Sequence, residues 1–135
     1  MIAQRSTGSV MSAKTLLSII ESATHPNFGA LYRHLGLQET RVASIRKAIA
    51  LLKKLKPDYV VAEFFYGYGN NYAGVNVSNL DVFLASLQKY APQAKVIVMV
   101  SRQELEHVVK LQSLFPVHVV LTHPVAEAQL ESVLE

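Results

Sequence analysis

The sequence predicts an α/β domain, a three-layer sandwich in which a five-stranded parallel sheet is covered by helices on both faces. Three observations predict it. Several short runs, among them YVVAEFF at Tyr59 to Phe65, rich in β-branched and aromatic residues, and VIVMV at Val96 to Val100, are continuous and not alternating, the pattern of strands buried on both sides. Between them lie stretches whose apolar residues recur at helical spacing. Strand and helix alternate, which requires right-handed crossovers and a parallel sheet.

Taken in order, TLLSII at Thr15 to Ile20 is short and β-branched and reads as β1. Pro26 stands at a first helical position, Leu31 and Leu35 lie four apart and Gly36 supplies a stop, so α1 is expected over Pro26 to Leu35. Ser44 caps a second helix, α2, carried by Ile45, Ala48, Ile49, Leu52 and Leu55 and ended by Pro57. Periodicity alone leaves Gln38 to Ala43 open between a strand and the start of that helix. Tyr59 to Phe65 is β3. Ser78 or Asn79 caps α3, whose buried stripe is Leu80, Phe83, Leu84 and Leu87, with Pro92 just beyond its end. Val96 to Val100 is β4, Gln103 to Leu114 is α4, Val117 to Leu121 is β5, and Val125 to Leu134 is a short α5.

With 135 residues, 50% of them hydrophobic and 17% charged, the chain has the size and apolar content of one globular domain. No apolar run reaches the ~20 residues a membrane crossing needs, so no membrane role is expected. The absence of cysteine excludes disulfides and thiolate metal sites. Met1 to Ala13 lacks the apolar core of a secretory signal; it is read as a flexible leader or expression remnant, with the domain over 14–135 and a cytoplasmic location as the default. The net charge of +3 comes mainly from Arg41, Arg46, Lys47, Lys53, Lys54 and Lys56. That segment has no aromatic residue to stack on bases, so it reads as a solvated helix face and no nucleic-acid partner is expected.

In open parallel sheets, ligands gather beyond the carboxyl ends of the strands, which singles out Glu21, Glu63, Ser101 and His123. Three of them also have an ordinary reading, Glu63 as a polar strand end, Ser101 as the N-cap of α4 and His123 as a strand-end imidazole, and Glu21 by itself is uninformative. His25, four residues after Glu21, invites a metal reading, but no third ligand stands at a recognisable spacing, so no metal site is assigned.

In order and spacing these strand-end residues resemble the response-regulator receiver family, over about residues 14 to 135. Ser101 and His123 are twenty-two residues apart, as a receiver's switch hydroxyl and lysine are. The stretch from Leu35-Gly36-Leu37 to Lys56-Pro57-Asp58 resembles the family's segment between α1 and β3, which makes Gln38 to Val42 the strand β2. The resemblance implies a flavodoxin-like (βα)5 fold. It also implies that Glu21 takes a place in the acidic Mg²⁺ pocket, Glu63 that of the phosphoacceptor aspartate, Ser101 that of the switch hydroxyl, and His123-Pro124 that of the lysine and cis-proline.

Three of those four parts are altered. Glutamate at 63 is one methylene longer than aspartate and displaces the attacking oxygen by ~1.5 Å. Glu21 stands beside Ser22 or Ile20 instead of a second carboxylate, which leaves Mg²⁺ weakly held, so no cofactor is assigned. A neutral His123 lacks the fixed charge of lysine. The sequence therefore predicts a degenerate receiver, a pseudo-receiver. It would be a non-enzymatic signalling or protein-interaction module, with the α4-β5-α5 face and its charges Glu104, Glu106, Lys110, Glu127 and Glu131 as a surface for protein partners or a homodimer.

The connection from β3 to α3, FYGYGNNYAGVNVSN, is about eight residues longer than the family's loop. It holds a glycine pair but no Lys-Ser/Thr of a phosphate-binding loop. Its recognition candidates are Tyr66, Tyr68, Asn70, Asn71 and Tyr72, since tyrosine offers a large amphipathic contact at low entropic cost. They carry the alternative reading, a small-ligand or nucleotide-binding domain that uses loop 66–79.

Overall fold

A computed structural model describes residues 14–23, 25–66 and 78–134. Five strands, β1 (Thr15–Ile19), β2 (Gln38–Val42), β3 (Tyr59–Glu63), β4 (Lys95–Val100) and β5 (Val119–Thr122), form one sheet in the order β2-β1-β3-β4-β5. Every neighbouring pair is parallel. The helices are α1 (Gly29–His34), α2 (Ile45–Leu51), α3 (Asp81–Tyr90), α4 (Leu105–Leu114) and α5 (Glu127–Val133), with a 3-10 turn at Arg102–Glu104 leading into α4. The expected leader over residues 1–13 lies outside the described residues. None of the described helices is long and apolar enough to cross a membrane.

Alternation along each strand divides the core into two layers. Leu17, Ile19, Val60, Ala62, Val96 and Val98 face α2, α3 and α4, where they meet Ala48, Phe83, Leu84, Leu87, Val108 and Leu111. The intervening residues Leu16, Tyr59, Val61, Ile97 and Met99 face α1 and α5, where they meet Leu31, Tyr32, Leu130 and Leu134. Both faces are apolar, which is why the central strands read as unbroken runs. At the edge, β2 pairs among the described residues with β1 alone, and the buried Ser18 of β1 donates its hydroxyl hydrogen to Glu39 Oε2 at 2.6 Å.

Several element ends differ from the sequence expectation for local reasons. Pro26 lies outside α1, because Pro26 lines the crevice with Ser22 and His25 and Phe28 is the N-cap; Gly36 does end the helix, with a positive φ of 78°. Ser44 caps α2 as expected, its Oγ accepting from Lys47 N–H. Neither Ser78 nor Asn79 is the cap of α3: the N-cap is Leu80, and Ser78 is instead tied to Asp81 through its N–H and hydroxyl. Ser101 precedes the 3-10 turn without a side-chain capping bond. At α5, Gln129 Oε1 accepts from Ala126 N–H.

Candidate functional site

The sheet order reverses between β1 and β3: the chain leaves β1 for the outer strand β2 and returns on the other side as β3. A crevice opens beyond the strand ends at such a point. Strand parity decides what points into it. Glu63 continues the row Tyr59, Val61 on the α1/α5 face; Ser101 continues Ile97, Met99; and His123 continues Val119, Leu121. Three adjacent strands thus bring Glu63, Ser101 and His123 to one edge, and all three line a cleft of about 820 Å³ with Ser22, His25 and Pro124.

Glu63 is 4% exposed and its carboxylate is fully engaged. Because Ile19 pairs with Ala62, the backbone just after β1 passes over the end of β3. Glu63 Oε1 accepts from Glu21 N–H at 2.7 Å and from Ser22 N–H at 2.8 Å, and Oε2 lies 3.1 Å from His25 Nδ1. Burial by itself would raise this carboxyl's pKa, but the His25 contact and the two backbone N–H groups outweigh it and hold it below the usual carboxylate range.

Asn79 ties the rest together. Its Nδ2 donates to Glu63 O at 2.9 Å and to Glu21 Oε1 at 3.2 Å, and its Oδ1 accepts from Phe65 N–H at 2.7 Å. Burial pushes the Glu21 carboxyl up, the Asn79 hydrogen bond partly offsets this, and the Glu63 charge adds to the rise. His123 follows β5, its N–H donating to Val100 O, and its bond to Pro124 is cis. Burial lowers its pKa and the neighbouring His25 lowers it further, against an opposing pull from Glu63. The two imidazoles meet edge to face, 5.5 Å between centroids.

Of the sequence candidates, then, Glu63, Ser101, His123 and Pro124 share the cleft, and Glu21 joins through Asn79 and its own N–H. Tyr66 is half exposed and stands apart, its ring stacked on His107 at 3.7 Å, while its backbone forms an isolated bridge with Ser78 across the neck of the long loop. Tyr68, Asn70, Asn71 and Tyr72 lie outside the described residues. Two residues are more central than the sequence suggested. In the sequence His25 has no third ligand at a recognisable spacing, and Asn79 reads as a helix cap because Asn before an apolar stripe ordinarily is one.

No protein-family model matches the sequence, and no curated protein matches it. Solved structures do match in fold. A response regulator receiver domain protein from Clostridium thermocellum superimposes with a TM-score of 0.69 at 17% identity, over 88% of this chain and 89% of that one. A response regulator receiver protein from Sinorhizobium medicae WSM419 gives 0.66 at 22% identity, over 90% and 91%. A Rhodopirellula baltica structure described as adenylate cyclase gives 0.67 at 15% identity, over 89% and 83%. At these identities the likeness establishes the flavodoxin-like, receiver-like fold.

Proposed function

We propose that this chain is an atypical receiver, a signalling module that works by protein association without an aspartyl phosphorylation cycle. The observation that carries the reading is the state of Glu63. A phosphoacceptor needs an oxygen free to attack, a metal to gather the phosphoryl oxygens and a fixed cation to neutralise them. Here both carboxylate oxygens are occupied by the chain itself, and the residue beside the cis-proline is His123, whose imidazole pKa burial lowers. The carboxylate held by backbone N–H groups has the character of a permanent internal brace. Such a brace holds the Glu63 side of the crevice in one conformation and leaves recognition to the outer surface.

The α4 helix offers that surface: Leu105 and Val109, one turn apart, and Leu114 are 41%, 60% and 57% exposed. Incubation with acetyl phosphate and Mg²⁺ followed by intact-mass measurement tests the reading. An unchanged mass is expected; stable phosphoryl addition at Glu63 overturns it.

The cleft volume favours one alternative, small-ligand binding, since it falls within the range of ligand pockets. A thermal-shift screen with flavins, nucleotides and cobalamin separates the two, because a ligand at a hundred times its Kd stabilises by ~2.7 kcal/mol. No shift is expected.

A further inference from the structure

The loop after β1 and the ends of β3 and β5 place two imidazoles and a carboxylate together, and we propose that His25, Glu63 and His123 form a binding site for a divalent transition ion, Zn²⁺ above all. Their donor atoms all lie within 4.8 Å of one another. His25 Nδ1 and Glu63 Oε2 are 3.1 Å apart. Two donors on a tetrahedral Zn²⁺, each at about 2.1 Å, stand about 3.4 Å apart, so an ion replacing the shared proton needs that pair to part by only a few tenths of an ångström. Two imidazoles on such an ion have ring centroids roughly 5 Å apart, and those of His25 and His123 are at 5.5 Å. Closing the remaining gap takes a shift of His123 of about an ångström.

The surroundings suit ligation. Glu63 Oε1 is fixed by the Glu21 and Ser22 N–H groups, which orients the carboxylate to present Oε2 alone. The His25 side chain is 2% exposed and packs edge-on against Phe28, so its ring plane is set. Three protein ligands leave a fourth position, and the cleft lined by Ser101 and Arg102 gives water or an anion access to it. Nitrogen donors favour Zn²⁺ or Co²⁺, whereas Mg²⁺ prefers an octahedron of oxygens. The site lies in the crevice already described but does not depend on a signalling role for the chain.

The test uses the full chain without a histidine tag. Co²⁺ is titrated by visible absorption and Zn²⁺ by calorimetry, with Mg²⁺ as the comparison ion. One equivalent of Zn²⁺, tetrahedral Co²⁺ bands and no response to Mg²⁺ are expected. His123→Asn and Glu63→Gln should each weaken Zn²⁺ binding by ~100-fold or more, while His118→Asn, on the exposed surface, leaves it unchanged. Absent Co²⁺ bands, or Zn²⁺ binding that survives His123→Asn, overturn the site. The unsubstituted chain's Co²⁺ spectrum decides even if a variant fails to fold. Metal binding together with phosphoryl addition would overturn the signalling reading alone; neither metal nor phosphoryl uptake would overturn the metal site alone.

Discussion

The two sides of the crevice are built differently. On the β1/β3 side, Glu63, Glu21, Asn79 and His25 are joined by hydrogen bonds to one another and to the backbone, down to the peptide groups of Phe65 and Ser22. On the β4/β5 side, Ser101 makes no side-chain capping bond and His123 meets His25 through ring edges. In a buried place an unmade polar bond costs more than a made one contributes, so the first side is rigid by necessity and the second is free to vary. One fold can therefore hold a tightly bonded wall and a loosely bonded wall around the same crevice.

The sharpest break in this contrast is Asn79→Leu. It removes three hydrogen bonds in a place where Asn79 is 7% exposed, and the loss of bonds at Phe65 N–H and Glu63 C=O should cost about 3 kcal/mol in chemical denaturation. Glu63→Gln comes next. It keeps the shape but weakens charge-assisted bonds to two N–H groups and His25, and about 2 kcal/mol is expected by the same measurement.

That deficit should depend on pH. The folded Glu63 carboxyl has a pKa below its ordinary value near 4.5, so its stabilising effect is complete above that value and is lost as pH falls through the folded pKa. Stability curves of the native chain and Glu63→Gln, with chelator present, should therefore converge below pH 4.5. Smallest of all, Ser101→Ala on the loosely bonded side should change stability by less than about 0.5 kcal/mol. A loss comparable to that of Glu63→Gln would erase the distinction between the two sides.

The same contrast governs what could be read from the chain before folding. Tyr59 to Ala62 and Val96 to Val100 announce themselves because burial on both faces demands unbroken apolar sequence. β2 does not: Gln38, Glu39 and Arg41 sit at a sheet edge, where polar residues are tolerated, and only the likeness to a family separated strand from helix. Glu63, Ser101 and His123 were legible as site candidates because strand ends in a parallel sheet have a known destination. His25 drew attention only through its spacing from Glu21, and Asn79 only as a helix cap, since neither belongs to a strand whose end has a known destination. The distance from His25 to His123 along the chain hides the third member of the cluster from any reading of spacing.

Glu63 is an ionised brace held by its own chain, and a carbon-detected NMR titration of its side-chain carboxyl in the metal-free protein measures this directly. The midpoint should fall below 4.5, with the amide protons of Glu21 and Ser22 shifting at the same midpoint. A midpoint above 4.5, or amides indifferent to it, would contradict the account.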